Sequence, residues 1–468
     1  MLLDVILENA YFIGDAIAKE QIVHIEKRHP DGEKAKKDVI PKAKQRMQHN
    51  KTNLHFFSVV PNQTLWGCAI ICTIFEVCMI SPRASLVFIA IFTGLFISNG
   101  CQNAPEKAGP KDVVWITNSH AQLFRIGHSK TDSFLEVYDA PNSMLSIGKF
   151  FWGSSLKIEG YQKIENRSKI VSLSAIHTGM LAELGLAKSI VGVESKQYIA
   201  HPIIYQSSAL DSVQELAPDG PIIPEKLATL NPQILIGYVF NIQEKNTIER
   251  IAKNHFPVIW ANNHLEPHPL GRAEWIVAVG WLLGKSKESA NLFQGIAKEY
   301  LAIAKQAAEA SNPAQDKKPT SESENSNGRP TVMMNIPYNG QWFVPQGQSY
   351  MSQFILDAGG MPITLQPKGS GSNMVGLEKA LRAMKLADIW INTDQCNTRK
   401  CLVEMDPRVM NIKALQSNRV FNFNKKLNPN GSNSYWDLGC IFPNILLRDL
   451  NKIIQNDTQS LYFYQRCN

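Results

Sequence analysis

The chain reads as an α/β protein of two Rossmann-like lobes bridged by one long helix, with a small antiparallel β extension in front. Three features carry this. Short apolar strands alternate with helix-length amphipathic segments over residues 165–270 and again over 330–468, the pattern of parallel βαβ units. Between the two series, residues 271–310 are free of proline and end in an uninterrupted helical stripe. A short motif also recurs in both halves: Pro224-Glu225-Lys226-Leu227 ahead of NPQILIGY, and Leu377-Glu378-Lys379-Ala380 ahead of LADIWINT.

The stripe consists of Phe293, Ile296, Tyr300, Ile303 and Ala307, three or four residues apart, so that one helical face is apolar. Ser286 is the expected N-cap. At ~1.5 Å per residue, 286–310 would span roughly 35 Å. A rigid rod of that length can join two lobes and hold them at a set spacing.

With 468 residues, 44% of them hydrophobic, the chain can bury a large core and form two or three units. A formal charge of +7 is modest, and its Lys and Arg residues are scattered, which argues against nucleic-acid binding. Mean hydropathy near zero argues against a polytopic membrane protein.

At the front, Arg83 precedes ASLVFIAIFTGLFIS (84–98), followed by Asn99, Gly100 and Cys101. A cation, an apolar run too short for a bilayer span, and small residues make a secretory signal layout. Gly followed by Cys resembles a bacterial lipoprotein processing site, with Cys101 lipidated, although Ser98 and Asn99 depart from the usual residues. The alternative is an uncleaved N-terminal anchor. Residues 79–101 then form the signal, with Met79 as its natural start, and 1–78 is a mis-assigned start or an extension. Residues 102–112 are a polar tether. Cys396 and Cys401 are close enough for a disulfide, and free thiols fit the spacing as well; a metal site would need further soft ligands.

Taken in order, VVWIT, AQLFRIG, FLEVYDA and LSIGKFF predict antiparallel strands over 113–164. The first lobe (165–270) follows as strand 169–174, helix 175–185 stopped by Gly185, strand 189–195, helix 225–231, strand 233–238, a helix, and strand 257–263. The connecting helices occupy 271–310. Residues 311–329 are almost devoid of apolar side chains and are expected to be disordered. The second lobe (330–468) has strands at 330–336, 387–393 and 419–424, with helices at 348–360, 377–386 and 442–454.

Five blocks in order carry a family resemblance: IVSLSAIHTGMLAELGLAKSIVGVES, LATLNPQILIG, LGRAEWIVAVGWLLGKSKESANLF, GQWFVPQGQSYMSQFILDAGG and WDLGCIFPNILLRDLNKII. Over roughly 113–455 the chain resembles the periplasmic binding proteins that serve iron-siderophore, haem and vitamin B12 importers, and the GRAEW and WFVPQGQSYM blocks resemble lipoprotein members from Bacteroidetes-type bacteria. The resemblance implies a monomeric binding protein, not an enzyme, without a cofactor of its own. Its ligand would be a metal chelate (ferric siderophore, cobalamin or haem) held between the lobes. It also implies that Glu225 and Glu378, one on each lobe, dock onto arginines of an ABC permease working with its ATPase, although acidic residues are favoured at helix starts in any case.

Ligand contacts are expected where parallel strands end and the lobes face each other: His177, Tyr198, Tyr238, Phe240, His268 and Arg272 from the first lobe and the bridge, and Tyr338, Trp342, Tyr350, Asn392, Tyr435 and Trp436 from the second. Flat aromatic faces suit a corrin, porphyrin or catecholate, and Arg272 suits an anionic edge. Trp342 equally fits a core position. His177, His264 and His268 lack the spacing of a metal site, which favours a chelate over a bare ion. Two other readings are a surface lipoprotein that captures a corrinoid or haem without a permease, and a chelatase-like enzyme on this fold. The latter has no phosphate loop, HExxH, GxSxG or Cys-x-x-Cys motif to support it.

Overall fold

The computed structural model describes residues 110, 112–141, 143, 145–206, 211–218, 220–239, 241–253, 255–311 and 328–468. The expected signal and Cys101, residues 1–78, nearly all of the tether, Phe240 and most of the polar loop 311–329 lie outside them.

The β extension comprises β1 (Val114–Ile116), β2 (Phe124–His128), β3 (Asp132–Tyr138), β4 (Ser146–Gly153) and β5 (Gln162–Lys163). The first four are antiparallel neighbours in that order, and β5 joins β4 in parallel. Cross-strand partners Ile126, Leu135 and Phe150 form a buried row toward the core, as period-two patterning requires.

The first lobe is a parallel sheet of β6 (Ile170–Ser172), β7 (Ile190–Val193), β8 (Gln214–Glu215), β9 (Ile234–Gly237) and β10 (Val258–Trp260), in the order β10-β9-β6-β7-β8. Ile-Val-Ser in β6 and Ile-Leu-Ile-Gly in β9 are buried throughout, because both faces of a parallel sheet are covered. Between the strands run α1 (Ala175–Glu183), α2 (Pro202–Tyr205), α3 (Pro224–Leu230) and α4 (Ile242–Ala252). Helix α1 stops before Gly185 at φ 72°, and α3 stops at left-handed Asn231.

The bridge is a pair of helices, α5 (Pro269–Leu282) and α6 (Ser286–Ser311). Ser286, the expected N-cap, is instead the first residue of α6. The expected stripe is buried at Phe293, Ile296, Tyr300 and Ala307. The more central of the two is α5: it is buried on nearly all sides and packs on α1, β2, α6 and helices of the second lobe.

The second lobe contains β11 (Thr331–Met334), β12 (Pro337–Tyr338), β13 (Gln341–Pro345), α7 (Tyr350–Asp357), β14 (Met361–Pro362), β15 (Ser372–Gly376), α8 (Leu377–Met384), β16 (Ile389–Ile391), α9 (Arg399–Met405), α10 (Lys413–Gln416), β17 (Val420–Asn422), α11 (Ser434–Ile441), α12 (Pro443–Ile454) and β18 (Gln465–Arg466). Its main sheet has the order β14-β11-β16-β17-β18, parallel except for β18 at the edge. A small antiparallel sheet, β12-β13-β15, follows the end of β11.

Two buried carboxylates, Glu274 on α5 and Glu266 just before it, lock the extension in place. Glu274 accepts the backbone N–H groups of Ser119, His120 and Ala121, each at 2.7 Å. Glu266 accepts those of Gln122 and Leu123 at 2.9 Å, and Trp275 Nε1 at 3.1 Å. Burial pushes the Glu266 carboxyl up, opposed by these donors. A Cβ at Gly271 would stand 3.1 Å from the His120 carbonyl oxygen and 3.2 Å from Glu266, tighter than ordinary packing, so glycine is the residue that fits.

Candidate functional site

In each sheet the chain first moves to one side and then returns to the other, and open α/β sheets bind ligands beyond the strand ends at that reversal. The reversal lies between β6 and β9 in the first lobe and between β11 and β16 in the second. Tyr238 directly follows β9, while Asn335 and Asn392 follow β11 and β16 in left-handed conformations, at φ 68° and 61°.

From Tyr238 a line of side chains crosses to the second lobe. Its half-buried ring meets His264 edge-on, with centroids 5.6 Å apart. Burial, with Glu194 and Glu244 nearby, pushes the Tyr238 hydroxyl up to about 12. Burial and the neighbouring Arg272 lower His264 to about 4, so its imidazole is neutral. Arg272 donates through Nε to the Glu266 carbonyl at 3.1 Å and through Nη2 to the His264 carbonyl. Its guanidinium lies 3.4 Å over the ring of Tyr350, on the first turn of α7. Beside Tyr350 on α7, Met351 Sδ accepts from the hydroxyl of Tyr435 at 3.9 Å, and the Tyr435 ring lies 5.1 Å from Trp436. Trp436 rests edge-on against Phe423, at 5.2 Å, and remains 55% exposed. Tyr238, Arg272, Tyr350 and Trp436 thus lie along one inter-lobe floor.

Tyr198 and Tyr338 are exposed at strand ends on opposite lobes. Tyr198 closes a turn after β7 that Ser195 caps, accepting Gln197 N–H. Tyr338 lies in β12.

Four expected contacts are buried: Trp342, His177, Asn392 and Tyr435. Trp342 is wholly buried, donates to the Met334 carbonyl at 2.9 Å and packs 5.7 Å from Trp390; the β13 pleat turns it inward. His177 is wholly buried on α1, toward Asn263 and Ala261, and burial lowers it to about 4. Asn392 is also buried: its Oδ1 accepts Tyr464 Oη at 2.7 Å and its Nδ2 faces Tyr435 Oη at 3.5 Å, so it braces Tyr435 from behind. His268 accepts Leu270 N–H through Nδ1 at 3.0 Å and stacks on His120; it caps α5.

Sequence reasoning missed Phe343 and Met374, cross-strand partners on the open face of the small sheet, both exposed. Their signal was strand alternation, with buried Trp342 and Val344 on either side of Phe343. It also missed Glu194, raised to about 7 by burial and Glu244, which lines a small cavity of about 40 Å³ with Tyr238, Asn241 and Trp260. Among the described residues no group of three His, Cys, Asp or Glu side chains could hold a metal ion, and no helix is long and apolar enough to cross a membrane.

Glu225 and Glu378 are exposed in the first turns of α3 and α8. These helices lead into β9 and β16, which occupy corresponding places beside the reversals.

Residues 170–427 match the sequence profile of the family described as Periplasmic binding protein. An uncharacterized lipoprotein of Methanocaldococcus jannaschii is 24% identical over 233 residues, 49% of this chain and 50% of that protein; the chain thus spans about half the length of this curated relative. Among solved structures, a periplasmic heme binding protein from Pseudomonas aeruginosa is similar over 64% of this chain and 98% of its own, at 15% identity and TM-score 0.47. An ABC-type Fe3+-hydroxamate transport system protein from Saccharomonospora viridis is similar over 61% of this chain and 92% of its own, at 13% identity and TM-score 0.45. With more than half its length matched by the profile, the chain belongs to the periplasmic binding protein family.

Proposed function

We propose that this protein is the solute-binding component of an ABC importer. It captures a chelated-metal compound, a ferric siderophore, cobalamin or haem, between its lobes and carries out no chemistry on it. The observation that carries this reading is the inter-lobe floor of Tyr238, Arg272, Tyr350 and Trp436, which starts at the end of β9 in the first lobe and continues over helices of the bridge and the second lobe. Large aromatic faces with one guanidinium suit a broad, partly apolar ligand with an anionic edge. Tyr198 and Tyr338 are its flanking contacts.

Delivery runs through Glu225 and Glu378. Two exposed carboxylates at corresponding places on the two lobes suit charge-assisted pairing with a two-sided cationic surface, which fixes orientation as well as attraction. The chain works as a monomer, anchored in the periplasm by a lipid on Cys101, with residues 1–78 absent from the mature form. The lipoprotein relative supports the anchor.

The test is the absorption spectrum of protein purified from its own host. A corrinoid, Soret or siderophore charge-transfer band in stoichiometric amount is expected. Colourless protein that binds none of the three classes when they are added would overturn the reading.

A further inference from the structure

Three cysteines converge in the second lobe. Cys396 and Cys401 form a disulfide with Cα atoms 5.4 Å apart. Cys396 is buried, whereas Cys401 is partly exposed. Cys467, a free thiol, is wholly buried in the same apolar cluster. Its Sγ lies 3.8 Å from the Cys396 carbonyl oxygen and 3.4 Å from Thr393 Oγ1, which donates to that same carbonyl at 2.6 Å. The backbone holds it there: Cys467 N–H donates to the Val420 carbonyl at 2.9 Å, and the Asn468 carbonyl accepts Arg399 N–H at 3.2 Å. Residues 467 and 468 are therefore fixed beside Cys396 and the first residue of α9, the helix that carries Cys401.

We propose that Cys467 is the internal nucleophile of a thiol–disulfide exchange that moves the cross-link to Cys396–Cys467 and frees Cys401 as an accessible thiol. The Cys467 thiol gives up its proton to solvent, and its sulfur bonds to Cys396 Sγ. The Cys396–Cys401 bond breaks, and its electron pair leaves on Cys401, which takes up one proton. The step is an isomerisation and needs no oxidant or reductant. Cys401 is the better leaving sulfur, because it is partly exposed and follows Arg399 and Lys400 in the chain, and thiolates are favoured near cations and solvent. The exchange also replaces a cross-link between residues five apart with one that closes a much longer loop and so restricts the unfolded chain more. Burial raises the Cys467 thiol, so the exchange is slow near neutrality and quickens with pH. Cys440 does not compete, since it lies by Arg272 and Asn263 at the inter-lobe floor.

The test uses the full chain purified without reductant. It is labelled natively with iodoacetamide from about pH 7 to about pH 9, quenched with acid and mapped by non-reducing peptide mass spectrometry. Expected are alkylated Cys401 together with a Cys396–Cys467 linkage, faster at higher pH. Labelling at Cys401 should fall about tenfold or more in Cys467→Ser and persist in Cys440→Ser. Equal Cys401 labelling in Cys467→Ser, or alkylated Cys467 with Cys396–Cys401 intact, would overturn the proposal. A second variant does not depend on the rate. In Cys401→Ser, oxidised glutathione should close Cys396–Cys467, and a mixed disulfide on Cys396 with Cys467 still free would contradict it.

Discussion

The guanidinium of Arg272 lies 3.4 Å over the ring of Tyr350, tying the bridge helix α5 to the first turn of α7 in the second lobe. The same guanidinium holds the His264 and Glu266 carbonyls of the first lobe, so one side chain joins both halves at the cleft floor. Replacing it with lysine keeps the charge but loses the planar fork. Arg272→Lys is expected to destabilise folding by about 1–3 kcal/mol in urea and to weaken ligand binding. Stability and affinity both unchanged would show that the contact is incidental.

The GRAEW block has a structural reason as well. Glu274→Ala would leave three backbone N–H groups, the Ala121 one buried and the other two partly buried, without their acceptor, at a cost of about 2–3 kcal/mol. Hydrogen exchange should report the loss locally, with amides of residues 119–121 exchanging faster. Unaltered protection there would contradict the clamp.

The buried His177 predicts an acid dependence of stability. Its folded form is held near 4 by burial, against an ordinary 6.5. Below 6.5 the unfolded chain takes up a proton that the folded chain refuses, so stability falls as pH drops from about 6.5 toward about 4 and levels off beneath that. The limiting slope from this group is about 1.4 kcal/mol per pH unit. His177→Gln should flatten the slope by close to one proton; an identical slope in the variant would refute the assignment.

Much of this architecture was legible because its signals are periodic. Runs such as Ile234–Gly237 and the α6 stripe can be buried in few ways, and the alternation of elements implied two parallel sheets. The candidate site was legible only at the level of segments. Tyr238, Tyr350 and Trp436 sit at strand ends or helix starts, where topology aims side chains at the crevice. Trp342 and His177 occupy similar sequence positions, but the pleat of β13 and the inward face of α1 turn them into the core, and a single aromatic or imidazole carries no mark of that. Glu266 and Glu274 went unread because a buried carboxylate depends on backbone donors some 150 residues away in the chain. The approach of Cys467 to Cys396 was hidden in the same way.

Docking can be separated from binding. The double variant Glu225→Ala, Glu378→Ala is expected to abolish uptake in cells while leaving ligand affinity intact, since both carboxylates are exposed and neither belongs to the line of side chains from Tyr238 to Trp436. Loss of ligand affinity in the purified double variant would place them at the ligand instead.

The most direct test of the central claim is a spectroscopic titration of wild type, Trp436→Ala and Tyr238→Ala with haem, cobalamin and a ferric siderophore. One class should bind wild type at one equivalent, and both variants should bind it about tenfold or more weakly while keeping wild-type stability. Binding that is indifferent to both substitutions, or no binding of any class to wild type, would contradict a ligand held between the lobes on this floor.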